Sequence, residues 1–100
     1  MALSGPIIKN GTYTATGNSI VTTQVGFRPN SLLIWDYTAG TNALYWTDQY
    51  PAGKLVRLDT GAVVSETITI TDHGFSVAAS STLLNASTDV YYWTAFRSDN

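Results

Sequence analysis

The residues able to do acid–base or nucleophilic chemistry are few: one histidine, His73, no cysteine, and seven carboxylates, Asp36, Asp48, Asp59, Glu66, Asp72, Asp89 and Asp99. A serine nucleophile of the triad kind needs an imidazole beside it and a carboxylate to orient that imidazole. His73 stands in Asp72-His73-Gly74, a sequence that favours a hairpin turn, where backbone conformation alone accounts for a polar residue. Most of the carboxylates also flank turn residues, a position Asp favours whether or not it is catalytic. Glycosidase carboxylates pair in space and not in sequence, so their spacing decides nothing. No His/Asp/Glu grouping has the spacing of a zinc or calcium site, and no phosphate-cradling glycine loop is present. The expectation is a protein with no enzymatic activity, no metal site and no cofactor.

The other residues that could carry chemistry are aromatic: three Trp, six Tyr and three Phe in a hundred residues. Aromatic side chains serve as sugar-stacking platforms and as anchors of protein interfaces. Trp93, Tyr92, Phe96, Phe75 and Trp35 lie in runs that are apolar on both faces and are expected in the core. Tyr45, Trp46 and Tyr50 lie around the polar loop 38–42 and the break at Pro51, and are expected to contact a partner. Ile7 and Ile8, near the N-terminus, complete the set of candidate interface residues. Asn10-Gly11-Thr12 and Asn85-Ala86-Ser87 match the N-glycosylation pattern, which is too short to carry weight.

A chain of 100 residues makes one domain and buries roughly 65% of its unfolded surface. Only 12% of the residues are charged, against about 25% in ordinary soluble proteins. The surface is coated instead with hydroxyls, for there are 15 Thr and 9 Ser, and Thr favours strands. The net charge is -2, and the five basic residues Lys9, Arg28, Lys54, Arg57 and Arg97 are scattered. Binding a phosphate backbone requires several cations along one face, so nucleic acid is not an expected partner. The first ten residues lack the basic and apolar regions of a secretory signal, and no apolar run approaches the roughly 18 residues of a membrane span. Neither secretion by a signal peptide nor a membrane partner is expected.

Apolar residues recur with period two, and turn residues interrupt them every 8 to 12 positions or so, which predicts an all-β sandwich or barrel. The expected fold is all-β, an antiparallel, jelly-roll-like β-sandwich of about eight strands with no substantial helix. It comprises an N-terminal arm (1–10), one sandwich domain (11–97) and a short tail (98–100). Residues 11–16 and 20–25 are expected to form a first hairpin across Gly17-Asn18. Pro29 fixes its own φ and pushes Arg28 toward an extended conformation, so 26–30 breaks the chain before a central strand covered on both faces. Residues 43–48 form the next strand, 54–59 an edge strand, and 62–71 one half-exposed strand. Asp72-His73-Gly74 then closes a hairpin into 75–79. The final strand, 90–97, is the expected neighbour of the run Leu32-Leu33-Ile34-Trp35.

Three segments together resemble a module of tailed-bacteriophage virion proteins: Val25-Gly26-Phe27-Arg28-Pro29, Gly74-Phe75-Ser76-Val77, and Asn85 followed by Val90-Tyr91-Tyr92-Trp93-Thr94-Ala95-Phe96. In that module a Gly-Phe-x-Pro turn leads into an apolar strand, a Gly-Phe hairpin follows, and an Asn precedes the closing strand. The resemblance spans roughly residues 11–97. A stand-alone chain of this kind, without coiled-coil or collagen-like shaft, is more similar to a capsid decoration (cement) protein than to a fibre. It implies a homotrimer made in the host cytoplasm that binds the major capsid protein on the outer surface of the virion and bridges capsomers. The alternative it implies is a tail-fibre or receptor-binding module that binds carbohydrate, with Tyr45 and Trp46 as the stacking platform.

Overall fold

The computed structural model describes residues 7–66 and 68–98. These contain no helix and nine strands: β1 (Ile7–Thr14), β2 (Val21–Gln24), β3 (Ser31–Asp36), β4 (Thr41–Thr47), β5 (Lys54–Arg57), β6 (Val63–Ser65), β7 (Ile68–Thr71), β8 (Gly74–Val77) and β9 (Val90–Arg97). They form two antiparallel sheets packed as a sandwich, one in the order β1-β9-β3-β4-β5-β6 and one in the order β2-β8-β7. The all-β sandwich expected from the alternation is the fold. The end of the chain is threaded between its earlier strands: β9 lies between β1 and β3, and β8 between β2 and β7. That is the jelly-roll-like part of the topology, whereas β3 to β6 continue as a meander.

The core follows from period-two alternation. On the large sheet Leu32 and Ile34 of β3, Leu44 of β4, Leu55 of β5, and Tyr91, Trp93 and Ala95 of β9 point inward. The small sheet answers with Phe75 and Val77 of β8, and Ile68 and Ile70 of β7 pack against them. Phe75 stands edge-on to both Trp93, at 5.8 Å between centroids, and Tyr13, at 6.1 Å. Truncating one of the fully buried leucines to alanine costs about 2–5 kcal/mol in such a core.

Four expectations are corrected. Residues 11–16 and 20–25 form no hairpin: β1 pairs with β9 and β2 with β8, so the turn between them carries the chain from one sheet to the other. The single strand expected over 62–71 is two strands in different sheets. The switch is held at Glu66, whose N–H donates to the Gly53 carbonyl and whose carboxylate accepts from the Ser81 hydroxyl. The 54–59 segment is not an edge, because β5 is flanked by β4 and β6. Finally, β1 begins at Ile7, inside the expected arm, since the eight residues of β9 pair along its whole length. Residues 1–6 of the expected arm, and 99–100 of the expected tail, lie outside the described residues.

The three segments that carried the resemblance have structural reasons for their composition. Gly26 has φ +99°, a conformation that favours glycine, and its N–H shares the His73 carbonyl with that of Val25. At Gly74 a Cβ would lie 2.1 Å from the Thr23 carbonyl oxygen, so only glycine allows β8 to approach β2 this closely. Asn85, 2% exposed, uses both ends of its amide. Its Oδ1 accepts from the N–H groups of Thr16 and Gly17, and its Nδ2 donates to the carbonyls of Ser19 and Ala78. The loop that carries it is also fastened by the stacked pair Tyr13 and Tyr91, whose hydroxyls donate to the carbonyls of Leu84 and Leu83.

Candidate functional site

A six-stranded sheet covered on one face by three strands leaves its other face open. Backbone register gives the composition of that face row by row. One row crosses all six strands: Asn10, Thr94, Leu33, Tyr45, Val56 and Val63. The row toward the Asp36 end holds Thr12, Tyr92 and Trp35, and the row on the other side holds Ile8, Phe96, Ser31 and Thr47. None of these residues is charged or in the fully buried class, and Lys54, on the same side of β5 as Val56, adds one cation at the margin of the face. Ile8 is 57% exposed and Val63 66%, an apolar presentation that a monomer's surface seldom extends over so many strands.

The run 32–35 is therefore covered on one side only. Leu32 and Ile34 enter the core, while Leu33 and Trp35 stand on the open face. Trp35, Tyr92 and Phe96, expected in the core, belong to this outer surface, and Phe75 and Trp93 to the core as expected. The physical reason is that both sides of β3 and β9 carry apolar groups, but a small sheet of three strands can shield only one of them. A sequence signal did exist: the outward positions of β9 include Thr94, whereas its inward positions Tyr91, Trp93 and Ala95 include no aliphatic hydroxyl.

The rings on the open face touch one another. Tyr92 lies 5.8 Å from Trp35 and 4.6 Å from Tyr37, with interplanar angles of 32° and 34°. Tyr37, which follows β3, is 61% exposed. A hollow of about 310 Å³ opens here, lined by Trp35, Tyr37, Gly40, Ala43 and Asp59. Asp59 is oriented by Arg57, whose Nε donates to Oδ1 at 3.1 Å and Nη2 to Oδ2 at 2.8 Å. A second hollow of about 290 Å³ is lined by Tyr50, Pro51, Lys54, Leu55, Val56 and Val63.

Neither a family model, nor a curated protein, nor a solved structure matches this chain.

The five residues expected at a partner interface divide. Ile8 and Tyr45 lie on the open face, and Tyr50 meets Tyr45 edge-on at 6.3 Å. Trp46 pairs in register with Leu32 and packs against the core, so the structure does not join it to Tyr45 as a platform. Ile7 begins β1 opposite Arg97, on the alternate side from Ile8. The sequence reading missed Trp35, Tyr37, Tyr92 and Asp59 as a group.

The histidine and the buried carboxylate lie elsewhere. His73 is exposed in the β7–β8 turn, and its neighbour Asp72 meets Arg28 at 3.6 Å with both side chains largely in water. Among the described residues no group of three or more His, Cys, Asp or Glu side chains could hold a metal ion. Among the described residues the one carboxylate buried in the core is Asp36, 1% exposed, at the end of β3. Its Oδ1 accepts from Ala39 N–H at 3.0 Å, while Oδ2 has no donor when Asp89 is ionised. A proton on Asp89 supplies one, and this hydrogen bond to Asp36, aided by desolvation and by the Asp36 charge, raises the Asp89 carboxyl above its ordinary range. Burial pushes the Tyr91 phenol up to about 12, and burial likewise raises Tyr13. Of the two potential glycosylation asparagines, Asn85 is buried with its amide fully used and Asn10 is exposed on β1.

Proposed function

We propose that this chain is a non-catalytic virion surface protein, a bacteriophage capsid decoration protein that docks on the outer surface of the mature shell through the open face of its large sheet. The observation that supports this reading is the row Asn10, Thr94, Leu33, Tyr45, Val56 and Val63, an uncovered and uncharged surface crossing the whole sheet. A charge-poor surface gains affinity from contact area and complementarity more than from electrostatic steering. A stable protein interface buries about 800 Å² on each partner, which is the scale of a sheet face. The similarity of the Gly26-Phe27, Gly74-Phe75 and Asn85 segments to phage virion modules points to the same class.

The mechanism has no chemical step. A protein that binds the assembled shell and not its dissociated subunits stabilises the shell by its binding free energy. Three linked copies bridging capsomers add avidity over one, which favours assembly as a homotrimer. The test is cosedimentation of the purified protein with mature capsids, together with its copy number per virion by quantitative mass spectrometry. Hundreds of copies, raised capsid melting temperature, and loss of both on Leu33→Asp or Tyr45→Asp are expected. Absence from virions, or binding unaffected by both substitutions, ends the proposal.

A further inference from the structure

We propose that the hollow at the Asp36 end of the open face is a carbohydrate subsite for one neutral hexopyranose unit. The proposal goes beyond the docking role, because it concerns a different part of the face and a different ligand class.

Two aromatic side chains, Trp35 and Tyr37, line the hollow, and the Tyr92 ring packs against both. Its centroid lies 5.8 Å from that of Trp35 and 4.6 Å from that of Tyr37, too close for rings side by side in one surface, so Tyr92 is stacked as a support for the two lining rings. The fold leaves much of the Tyr37 ring free, since this residue is 61% exposed. A π-face carries partial negative charge, and the C–H bonds on one face of a pyranose ring, polarised by their oxygens, present the complementary positive surface. The pyranose rim presents hydroxyls, which need acceptors. Asp59 lines the same hollow together with the small residues Gly40 and Ala43, and its plane is fixed by Arg57. A carboxylate held in this way accepts hydrogen bonds from two vicinal hydroxyls, and charge-assisted bonds of this type are the stronger ones.

Size and charge narrow the ligand. About 310 Å³ stands at the low end of the roughly 300–1,000 Å³ range of small-molecule sites, which suits one ring and not a peptide. A Cβ on Gly40 would meet nothing within 4 Å, so the hollow is open there and the rest of a polysaccharide can leave through it. Among the lining residues the only charged group is the Asp59 carboxylate. Sialic acids and uronic acids would bring a second anion against it, so the selected unit is neutral.

The experiment is an NMR titration of the purified protein with soluble neutral oligosaccharides (malto-, cello-, manno- and galacto-series) and, separately, with sialyllactose and oligogalacturonate. Saturable shifts confined to Trp35, Tyr37, Tyr92 and Asp59 are expected with at least one neutral series and with neither acidic ligand. Tyr37→Ala should weaken binding about tenfold with an unchanged melting temperature, and Trp35→Ala should do so too. Tyr45→Ala, on the proposed capsid-docking row, should leave it unchanged. No saturable binding by any neutral series, equal binding of acidic sugars, or full binding by the Tyr37→Ala protein overturns the proposal. Because no capsid is present, failure here is distinct from failure to cosediment with capsids.

Discussion

Replacing Asn85 by alanine removes four hydrogen bonds at one stroke. Two main-chain donors, the N–H groups of Thr16 and Gly17 at 2.9 and 3.2 Å, lose their acceptor, and the carbonyls of Ser19 and Ala78 at 2.9 and 3.1 Å lose their donor. A hydrogen bond contributes about 0.5–1.5 kcal/mol net, which would sum to about 2–6 kcal/mol if all four partners stayed dry. Thr16, Gly17 and Ser19 are exposed at the surface, so water recovers part of their pairing and the lower half, about 2–4 kcal/mol, is expected. For a domain of this size each kcal/mol moves the melting temperature by about 4–8 °C, so the Asn85→Ala protein should melt about 8–32 °C lower. Urea unfolding followed by tryptophan fluorescence, with circular dichroism for the thermal transition, measures both quantities. Asn85→Asp keeps the acceptor and loses the two donated bonds, and should fall between wild type and Asn85→Ala. An Asn85→Ala protein within about 0.5 kcal/mol of wild type, the scatter of ordinary surface substitutions, would refute the role assigned to this side chain.

Three further outcomes are expected. Asp89 has its carboxyl raised in the folded state by the hydrogen bond to Asp36, so its stabilising contribution is complete below the unfolded Asp value near 4 and is lost as pH rises through the folded one. Melting temperatures from about pH 4 to about pH 8 should therefore fall less steeply in Asp89→Asn, whose amide donates at every pH, and identical slopes would remove the shared proton from the account. Gly11→Ala should lower stability by about 1–3 kcal/mol or more, because the new Cβ would lie 2.4 Å from Cζ2 of the Trp93 indole; a neutral result in denaturant melts would mean that the ring has room to shift. Leu32→Ala and Leu33→Ala, neighbours on opposite faces of β3, should differ sharply, about 2–5 kcal/mol for Leu32 and under about 1 kcal/mol for Leu33, and equal losses in urea unfolding would mean that the outer face is covered.

Alternation of apolar and polar residues is a local property, and it was enough to place most strands, the Asp72-His73-Gly74 hairpin, and the pairing of 90–97 with 31–36. It could not assign pairing between distant segments. Whether residues 11–16 meet 20–25 or β9 depends on where the last eight residues of the sandwich lie, and no local pattern in 11–25 contains that information. The split at Glu66 is similar: Val64 and Ile68 both point into the core, so a reader of the alternation sees one continuous strand, while the sheets it joins are decided by Gly53 and Ser81.

The candidate site was legible in kind and not in place. By itself the sequence determined a charge-poor, hydroxyl-coated all-β domain, rich in aromatic residues, with one histidine and no cysteine. Tertiary structure alone decided which aromatics are free. The sequence suggested a buried Trp35 and a partner-facing Trp46, yet register sends Trp46 beneath the small sheet beside Leu32 and leaves Trp35 on the open face beside Tyr92. The reason is geometric: a strand apolar on both faces states that two surfaces want cover, and only the packing of three strands against six decides which of them receives it.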